Sequence, residues 1–392
     1  MRTQVAIIGA GPAGLFLAFL LREAGIASIV LERQSREYVQ GRVRAGVLER
    51  VAVELMDRLG IGARMRREGL VHTGTNLAVD GQLFHIDFAQ LTGGATIMVY
   101  GQSEVMKDLN AAADATGLNV VYGVEDVSPQ GLDGDAAFVT WREGGEQKRI
   151  DCDFVAGCDG YHGVSRGCIP ASILKTFERV YPFGWLGILA EVPPCEEELV
   201  YANHERGFAL ASMRSSTRSR YYVQCALADK VEDWSDTRFW DEVSERLGPD
   251  AAAKITRGPS FEKSIAPLRS FVCEPMRWKR FFLAGDAAHI VPPTGAKGLN
   301  LAVSDVIYLS EALQAYYHTR AESALDHYSE RALARVWKAE RFSWWFTGIT
   351  HRFPGTEPFD RKMQVAELSY IRGSRAAQTT LAENYVGLPL EA

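Results

Sequence analysis

The stretch Gln4-Val-Ala-Ile-Ile-Gly-Ala-Gly-Pro-Ala-Gly14 decides the fold class of this chain. Residues 4–8 form an apolar run that predicts a buried parallel strand, and residues 9–14 follow as a glycine turn. The segment from Ala13 to Ala24 predicts a helix, which Gly25 ends before a second strand from Ser28 to Leu31. This strand–helix–strand order predicts a Rossmann-like α/β domain.

Each glycine of the turn has a structural role that a larger residue could not fill. Gly9 permits the tight turn, Gly11 lets a pyrophosphate approach the backbone, and Gly14 allows the helix to pack closely. The helix start offers unpaired N–H groups and a positive dipole end. Glu32, at the end of the second strand, is placed to accept hydrogen bonds from an adenosine ribose. We therefore expect a bound dinucleotide.

Composition narrows the class of protein. At about 100–200 residues per domain, 392 residues predict two or three domains. A formal net charge of −6 argues against a nucleic-acid partner. Six cysteines without CxxC spacing favour reduced thiols, and we expect a cytoplasmic protein with no signal peptide. No apolar run approaches the ~20 residues of a membrane span, and no metal site is expected because the eight histidines are scattered.

The predicted secondary structure changes twice along the rest of the chain. Residues 183–267 contain longer strands rich in aromatic residues and a predicted helix at 235–247, which indicates a separate antiparallel sheet. A strand from Arg280 to Ala284 then reaches Gly285-Asp286, and the chain is predicted to be mostly helical to about residue 350.

Two further motifs point to one dinucleotide. The stretches from Cys158 to Arg166 and from Phe282 to His289 are each as typical of a turn as of a binding site. Together with the glycine turn, they resemble the three signatures of the class A flavoprotein monooxygenases. The resemblance implies that FAD is the cofactor, that Asp286 binds its ribityl chain, and that Asp159-Gly160 lies near both FAD and NADPH. The residues assigned to FAD are Gly9, Gly11, Ala13, Gly14, Glu32, Arg42, Arg44, Val47, Gln102, Asp159, Arg220, Asp286, Gly298, Leu299 and Asn300.

Two predicted strands flank the polar stretch 215–219, which could form the turn of a hairpin. Period-two alternation places Ser212 with Arg214 on one face of a strand, and Arg220 with Tyr222 on one face of the next. This pattern fits either a solvated hairpin or a carboxylate site. In the members that act on 4-hydroxybenzoate, the resemblance assigns Ser212, Arg214 and Tyr222 to the substrate carboxylate and Arg220 to the flavin.

Four further site residues rest on the resemblance alone. Tyr201, Tyr385 and His72 are far apart in sequence, and each is as consistent with ordinary packing. The resemblance implies that they form a relay that removes the proton of the substrate phenol. Tyr201 is also assigned to substrate binding, and Pro293 to both substrate binding and catalysis.

The arginine-rich stretch after Glu32 is predicted to recognise the reductant. A solvated basic helix is the alternative. The resemblance assigns NADPH to Arg33, Gln34, Tyr38, Arg42, Arg44, His162 and Arg269. Because Ser35 and Arg36 belong to a part that varies among relatives, NADH stays open as a second reductant.

The resemblance implies an FAD-binding domain (1–72, 97–180 and 268–297), an inserted substrate-binding domain (73–96 and 181–267) and a helical interface region (298–392). The implied reaction uses NADPH and O2, through a flavin C4a-hydroperoxide, to convert 4-hydroxybenzoate to 3,4-dihydroxybenzoate. The alternatives are hydroxylation of another aromatic acid, such as 3-hydroxybenzoate or 3,4-dihydroxybenzoate, a flavin-bound ligand sensor, and an NAD dehydrogenase. The aromatic stretch from Glu340 to Phe346 predicts a subunit contact in a homodimer.

Overall fold

The computed structural model describes residues 1–42 and 46–391. In chain order its strands are β1 (Val5–Ile8), β2 (Ser28–Glu32), β3 (Val47–Leu48), β4 (Leu70–His72), β5 (Gly74–Val79), β6 (Gln82–Asp87), β7 (Ile97–Val99), β8 (Val120–Tyr122), β9 (Glu125–Gln130), β10 (Phe138–Glu143), β11 (Glu146–Asp151), β12 (Phe154–Gly157), β13 (Lys175–Ala190), β14 (Val200–Asn203), β15 (Ala209–Ser215), β16 (Arg218–Cys225), β17 (Ser260–Glu274), β18 (Arg277–Trp278), β19 (Phe281–Leu283) and β20 (His289–Ile290). Its helices are α1 (Pro12–Glu23), α2 (Arg36–Gly41), α3 (Arg50–Arg58), α4 (Ala63–Glu68), α5 (Phe88–Thr92), α6 (Gln102–Thr116), α7 (Asp236–Leu247), α8 (Pro249–Ala252), α9 (Gly298–Thr319), α10 (Ser323–Thr350), α11 (Pro358–Gly373) and α12 (Arg375–Val386).

The first sheet has the order β18-β19-β12-β1-β2-β8. Its pairs β19–β12, β12–β1, β1–β2 and β2–β8 are parallel, and β18 adds an antiparallel edge. Helix α1 joins β1 to β2 and packs against α9. The predicted strand–helix–strand unit is confirmed, and Gly25 adopts the left-handed φ of +69° that suits a glycine after a helix.

The second sheet has the order β20-β17-β13-β16-β15-β14-β5-β6. It contains the antiparallel strands predicted for residues 183–267, but the pair β14–β5 is parallel, so this sheet is mixed. The predicted domain boundaries at 180/181 and 267/268 fall inside the long strands β13 and β17. These two strands pair with each other on both sides of a register shift between Val180 and Gly184, and they pass from one predicted domain to the other without a linker.

The C-terminal region is helical, as predicted, but α11 and α12 extend it beyond residue 350. The prediction that the stretch from Glu340 to Phe346 forms a subunit contact is wrong for its phenylalanines. Phe342 and Phe346 are buried in the same core cluster as Tyr201 and Tyr385, because α10 packs inside the chain. Of the aromatic residues in this stretch, only Trp344 is exposed. Within the described chain, we find no helix with the length and apolar character needed to cross a membrane.

Candidate active site

The glycine turn lies at the carboxyl end of β1. Gly9 has a φ of +101°, and a Cβ added there would lie 2.5 Å from the carbonyl oxygen of Cys158. A Cβ on Gly14 would lie 1.9 Å from the carbonyl oxygen of Gly9, so both positions require glycine. A Cβ on Gly11, in contrast, would meet no atom of the described residues within 4 Å. The turn therefore leaves room for a ligand against the first N–H groups of α1.

Glu32, at the end of the neighbouring strand β2, accepts a hydrogen bond from this turn. Its two carboxylate oxygens accept hydrogen bonds from the backbone N–H groups of Ala10 and Gln34, each at 2.8 Å. The carboxylate is thereby fixed beside the turn. A carboxylate has about four acceptor positions, so Glu32 can also accept bonds from a ligand hydroxyl.

The motif residues converge at one edge of the parallel sheet. Gly9 follows β1, Glu32 ends β2, Asp159 follows β12 and Asp286 follows β19. These four strands are neighbours and run parallel, so their carboxyl ends lie side by side. Open α/β sheets bind ligands at this edge.

Asp159 carries a buried oxygen that is poised for a further contact. Its Oδ2 accepts a hydrogen bond from the Ser165 N–H at 3.0 Å, while its Oδ1 is buried and has no hydrogen-bond partner within the described residues. Burial raises the pKa of this carboxyl. A Cβ on Gly163 would lie 2.0 Å from Cγ of Asp159, so the loop encloses the side chain. The unpartnered Oδ1 is therefore available for a hydrogen bond with a ligand.

Helix α9 begins at Gly298, as predicted, and points its N-terminus into the same region. No side-chain cap is found for its first turn among the described residues. Asn300 donates hydrogen bonds from Nδ2 to the carbonyl oxygens of Val47 and Ala296, each at 3.0 Å. Its Oδ1 accepts from the Glu49 N–H at 2.8 Å. The helix start at Gly298 and Leu299 is thus held next to β3 and offers N–H groups to a negatively charged group.

The predicted hairpin is formed by β15 and β16. Ser212 lies opposite Arg220 and Leu210 lies opposite Tyr222, so Ser212, Arg220 and Tyr222 share one face of the sheet. The Ser212 Oγ donates a hydrogen bond to the carbonyl oxygen of Arg220 at 2.9 Å. The hairpin therefore presents a serine, an arginine and a tyrosine toward one space.

Arg214 joins the same group of side chains. Burial lowers the pKa of its guanidinium, and an interaction with Tyr222 opposes that shift. The Arg214 Cδ lies 3.9 Å from the position of a Cβ on Gly101, the residue before Gln102. A half-buried arginine beside a tyrosine hydroxyl is suited to a bidentate contact with a carboxylate.

Arg220 is buried and forms an ion pair with Glu262. Its guanidinium also lies over the Tyr222 ring at 4.9 Å and donates to the Ser264 Oγ at 3.3 Å. These contacts extend the Arg220 side chain from β16 across Gly187 of β13 to β17, next to the hairpin face.

Tyr201 and Tyr385 meet in the core between the second sheet and the C-terminal helices. Their hydroxyl oxygens are 2.5 Å apart, and both side chains are buried. Burial raises the pKa of both phenols, so both stay protonated near neutral pH. The Tyr385 ring stacks on Phe88 at 4.9 Å, which fixes its position. Two neutral hydroxyls in contact can pass a proton by donating one while accepting another.

His72 lies on β4 and is buried. Burial lowers the pKa of its imidazole to about 4, so the ring is neutral near pH 7. Neither ring nitrogen has a hydrogen-bond partner in residues 1–42 and 46–391.

Pro293 begins a 3₁₀ turn, Pro293–Gly295, that leads into α9.

The sequence matches the family model described as FAD binding domain over residues 2–343. Over 391 residues it is 56% identical to p-hydroxybenzoate hydroxylase of Acinetobacter baylyi (strain ATCC 33305 / BD413 / ADP1), with 100% of this chain and 96% of that protein covered. This chain belongs to the FAD-dependent aromatic hydroxylases. Rifampicin monooxygenase of Streptomyces venezuelae is 27% identical to this hydroxylase, with 97% of this chain and 75% of that protein covered.

A solved structure shows that the fold is shared more widely than the sequence. The crystal structure of p-nitrophenol 4-monooxygenase PnpA from Pseudomonas putida DLL-E4 matches this hydroxylase with a TM-score of 0.82. The match covers 99% of both chains at 20% sequence identity. The predicted α/β fold class is therefore confirmed.

The residues of the parallel-sheet edge fit FAD. The turn is open at Gly11, while Glu32 and the buried Oδ1 of Asp159 supply acceptors beside it. The start of α9 would offer further N–H groups to the bound cofactor. Ala13 packs inside this edge, since a Cβ on Gly285 would lie 3.4 Å from its Cβ. Which individual residues contact FAD stays a prediction.

The residues predicted to bind NADPH lie in two groups. Arg33, Gln34, Tyr38 and Arg42 follow Glu32, and the Arg42 guanidinium lies 5.9 Å from the centre of the Tyr38 ring. Arg44 lies outside the described residues. His162 and Arg269 form the second group, both beside Tyr161, whose ring lies 5.0 Å from that of His162 and 4.5 Å from the Arg269 guanidinium. Among the described residues, we find no hydrogen bond or ion pair that joins the two groups.

Sequence reasoning missed a buried charge cluster beside the site. The Lys297 Nζ donates to Glu49 Oε1 at 2.6 Å and to the carbonyl oxygen of Tyr385 at 2.9 Å. Arg335 donates to Glu49 Oε2 at 3.0 Å and to the carbonyl oxygens of Leu388 and Pro389. Burial lowers the pKa of Lys297, and the Glu49 charge opposes that shift. No local pattern could have linked these residues, because they lie far apart in sequence.

Proposed function

We propose that this hydroxylase converts 4-hydroxybenzoate to 3,4-dihydroxybenzoate, with NADPH and O2 as co-substrates. The observation that carries the proposal is the buried contact between the Tyr201 and Tyr385 hydroxyls. A protein that only binds aromatic acids would not need this contact. An enzyme that must remove the proton of a phenol needs a group that accepts it. The name of the A. baylyi relative supports the same substrate.

The hairpin face would hold the acid end of the substrate. Arg214 and the hydroxyls of Ser212 and Tyr222 would bind the carboxylate by charge-assisted hydrogen bonds, each worth about 1.5–3 kcal/mol. The ring then extends toward Tyr201, whose hydroxyl would accept the hydrogen of the phenol. A carboxylate at one end and a phenol at the other fix both the position and the orientation of the ring.

The chain would contribute orientation and proton removal. When bound, FAD supplies the electrons from NADPH and activates O2. Tyr201 would take the phenol proton while passing its own to Tyr385, and His72, held neutral by burial, could accept the next proton. An ionised phenol is the better nucleophile at its ortho carbon. The enclosed core around these groups would keep water away from the reacting atoms.

The test uses the FAD-loaded enzyme under air. We expect 4-hydroxybenzoate to stimulate NADPH oxidation and to yield 3,4-dihydroxybenzoate, identified by chromatography. A panel with 3-hydroxybenzoate and 3,4-dihydroxybenzoate serves as the comparison. If 4-hydroxybenzoate gives no stimulation, or only H2O2, the proposed reaction is refuted.

We infer that NADPH is preferred to NADH. The support is the set of cationic and polar side chains of residues 33–42, which follows the carboxylate of Glu32 and could contact a phosphate. Comparing kcat/KM for the two nucleotides tests this inference, and equal values would contradict it.

We also infer a cytoplasmic homodimer. Exposed apolar side chains on α10 and α11, Trp344 and Phe359 at 48% and 69% exposure, together with Met363 and Tyr370, would suit a subunit contact. The described cysteines are all free thiols, which suits a reducing compartment. Light scattering after gel filtration tests the dimer, and a mass of one chain would exclude it.

A further inference from the structure

One row of residues crosses the second sheet between the two ends of the proposed substrate site. Gly187 lies opposite Tyr222, Tyr222 opposite Leu210, and Leu210 opposite Tyr201, so all four positions share one face. Tyr222 would bind the carboxylate and Tyr201 the phenol, and two strand spacings of roughly 4.8 Å each separate them. Which acids fit the site therefore depends on how firmly these two tyrosine rings are held.

Trp185 lies beside this row on β13. Its ring centre is 5.0 Å from that of Tyr222 and 4.9 Å from that of Phe208, on which it stacks. The Phe208 ring in turn lies 6.2 Å from the Tyr201 ring. A Cβ on Gly187 would lie 2.6 Å from Cε1 of Tyr222, so the glycine leaves the space that the Tyr222 ring occupies. Trp185 thus contacts Tyr222 directly and is connected to Tyr201 through Phe208.

His351, at the C-terminal end of α10, is the hydrogen-bond partner of this indole. The Trp185 Nε1 donates to the His351 Nε2 at 2.7 Å, and the two ring planes differ by 6°. The His351 Nδ1 lies 3.1 Å from the carbonyl oxygen of Thr347, which can only accept, so Nδ1 carries the ring hydrogen and Nε2 is the acceptor. Burial lowers the pKa of the imidazole to about 3, so it stays neutral near pH 7. Trp185 and His351 thus form a tryptophan–histidine pair with one defined tautomer.

Aromatic rings and a backbone contact hold the tryptophan–histidine pair in place. Phe208 and Phe183 stack on the imidazole, with ring centres 4.1 and 4.9 Å away. Gln224, which lies opposite the tryptophan on β16, accepts a hydrogen bond from the Arg352 N–H at 3.0 Å. Because both members of the pair are buried, a break in their hydrogen bond would leave a donor and an acceptor without partners. The hydrogen bond therefore favours one orientation of the indole beside Tyr222.

We propose that Trp185 and His351 are positioning residues that make the site selective for acids with a hydroxyl para to the carboxylate. This inference rests on the proposed function. The fixed indole keeps the Tyr222 ring in place at the acid end, and Phe208 transmits the same restraint to Tyr201. The para hydroxyl, which lies opposite the bound carboxylate on the ring, meets Tyr201, whereas a meta hydroxyl does not. His351 does not touch the substrate and acts through Trp185.

The competing explanation is that the hydrogen bond only stabilises the core. Three substitutions separate the two roles. His351→Phe keeps an aromatic ring and removes the acceptor, and Trp185→Phe removes the donor. His351→Gln supplies an amide oxygen that can again accept the bond. Trp240→Phe is the control, because Trp240 is buried in a different core cluster, where its Nε1 donates to the carbonyl oxygen of Gly258 at 2.9 Å.

The experiment titrates the FAD-loaded enzyme with 4-hydroxybenzoate and with 3-hydroxybenzoate and takes the ratio of the two Kd values from flavin absorbance. The wild type should bind the para acid more tightly, and we expect His351→Phe and Trp185→Phe each to lower this preference about 10-fold, the effect of one hydrogen bond. Product formed per NADPH under air should fall in the same two variants. His351→Gln should keep most of the preference. Trp240→Phe should unfold at a lower temperature with an unchanged preference.

Each result decides for or against the inference. An unchanged preference in both His351→Phe and Trp185→Phe overturns it, even where the unfolding temperature falls, since a purely structural defect weakens the binding of both acids alike. A loss in His351→Gln as large as that in His351→Phe also overturns it, because the hydrogen bond would then not be the cause. If His351→Phe does not fold, the comparison of Trp185→Phe with Trp240→Phe decides. In all these cases a wild type that prefers and hydroxylates 4-hydroxybenzoate leaves the proposed function standing, whereas a wild type without this preference and product overturns both.

Discussion

The hydroxyl oxygens of Tyr201 and Tyr385 lie 2.5 Å apart, although 184 positions separate these residues in sequence. Strand β14 supplies one and α12 the other, and Phe346 packs near both rings. In the proposed function, this contact removes the proton of the substrate phenol.

Tyr201→Phe removes one hydroxyl of this contact and keeps the ring. We expect hydroxylation to fall by about 100-fold, a typical loss for a group that transfers a proton, while the Kd for 4-hydroxybenzoate changes little. The rate of 3,4-dihydroxybenzoate formation and substrate titrations measure the two effects. Tyr317→Phe, which removes a hydroxyl bonded to Asp153 elsewhere, should leave both unchanged. An unaltered rate in Tyr201→Phe would refute the role assigned to this residue.

Arg214→Lys keeps a positive charge but loses the planar pair of donors. Because a hydrogen bond to a charged group is worth about 1.5–3 kcal/mol, we expect substrate affinity to fall about 10- to 100-fold. The Kd from flavin absorbance titrations checks this value. Arg218→Lys on the same hairpin, where the arginine pairs with exposed Glu191, is the control. Similar Kd values in both variants would show that Arg214 does not bind the carboxylate.

Gly14→Ala places a Cβ 1.9 Å from the carbonyl oxygen of Gly9. The start of α1 must then move away from the turn, so we expect the purified variant to lose FAD and to unfold at a lower temperature. Gly348→Ala is the matched substitution, because an added Cβ there meets no described atom within 4 Å and lies within α10. It should stabilise the chain by about 0.5–1 kcal/mol. Full flavin content in Gly14→Ala would contradict the close packing described for the turn.

Glu340 on α10 provides a test of pH dependence. It is 6% exposed, and burial raises its pKa to about 7, against the opposing effects of Ser270 and the His289 charge. Because the folded state holds this proton more tightly, the contribution to stability is complete below pH 4.5 and is lost as the pH rises toward 7. Glu340→Gln, which stays neutral, should therefore gain up to about 3 kcal/mol over the wild type between pH 4.5 and pH 8.

Urea unfolding at both pH values measures this difference. The exposed carboxylate of Glu311, which pairs with Arg331, supplies the control Glu311→Gln. A gap between Glu340→Gln and the wild type that is the same at both pH values would contradict burial as the cause.

The parts of the fold that follow from local chemistry could be predicted from the sequence. Gly9 and Gly14 must pack against backbone, and Gly25 must turn the chain, so their spacing alone predicts β1, α1 and β2. The β15–β16 hairpin likewise follows from the polar stretch between two alternating segments.

Other features depend on residues that only the folded chain brings together. The bonds from Lys297 and Arg335 to Glu49, and from Thr73 to Glu198, leave no local pattern in the sequence. The contact between Tyr201 and Tyr385 could be expected only from resemblance to a family. The division into domains stays a prediction. Its boundaries at 180/181 and 267/268 lie inside the strands β13 and β17, so no loop or linker marks these positions in the sequence.

The continuity of β13 and β17 also limits how this scaffold can be engineered. A chimera that receives the second sheet of a relative through cuts at 180/181 and 267/268 would divide both strands of the β13–β17 ladder, next to its register shift between Val180 and Gly184. Splice points before Lys175 and after Glu274 would keep each strand whole and bring both partners of the ladder from the same parent. The unit of exchange for altering substrate range is therefore the complete pair of strands with everything between them.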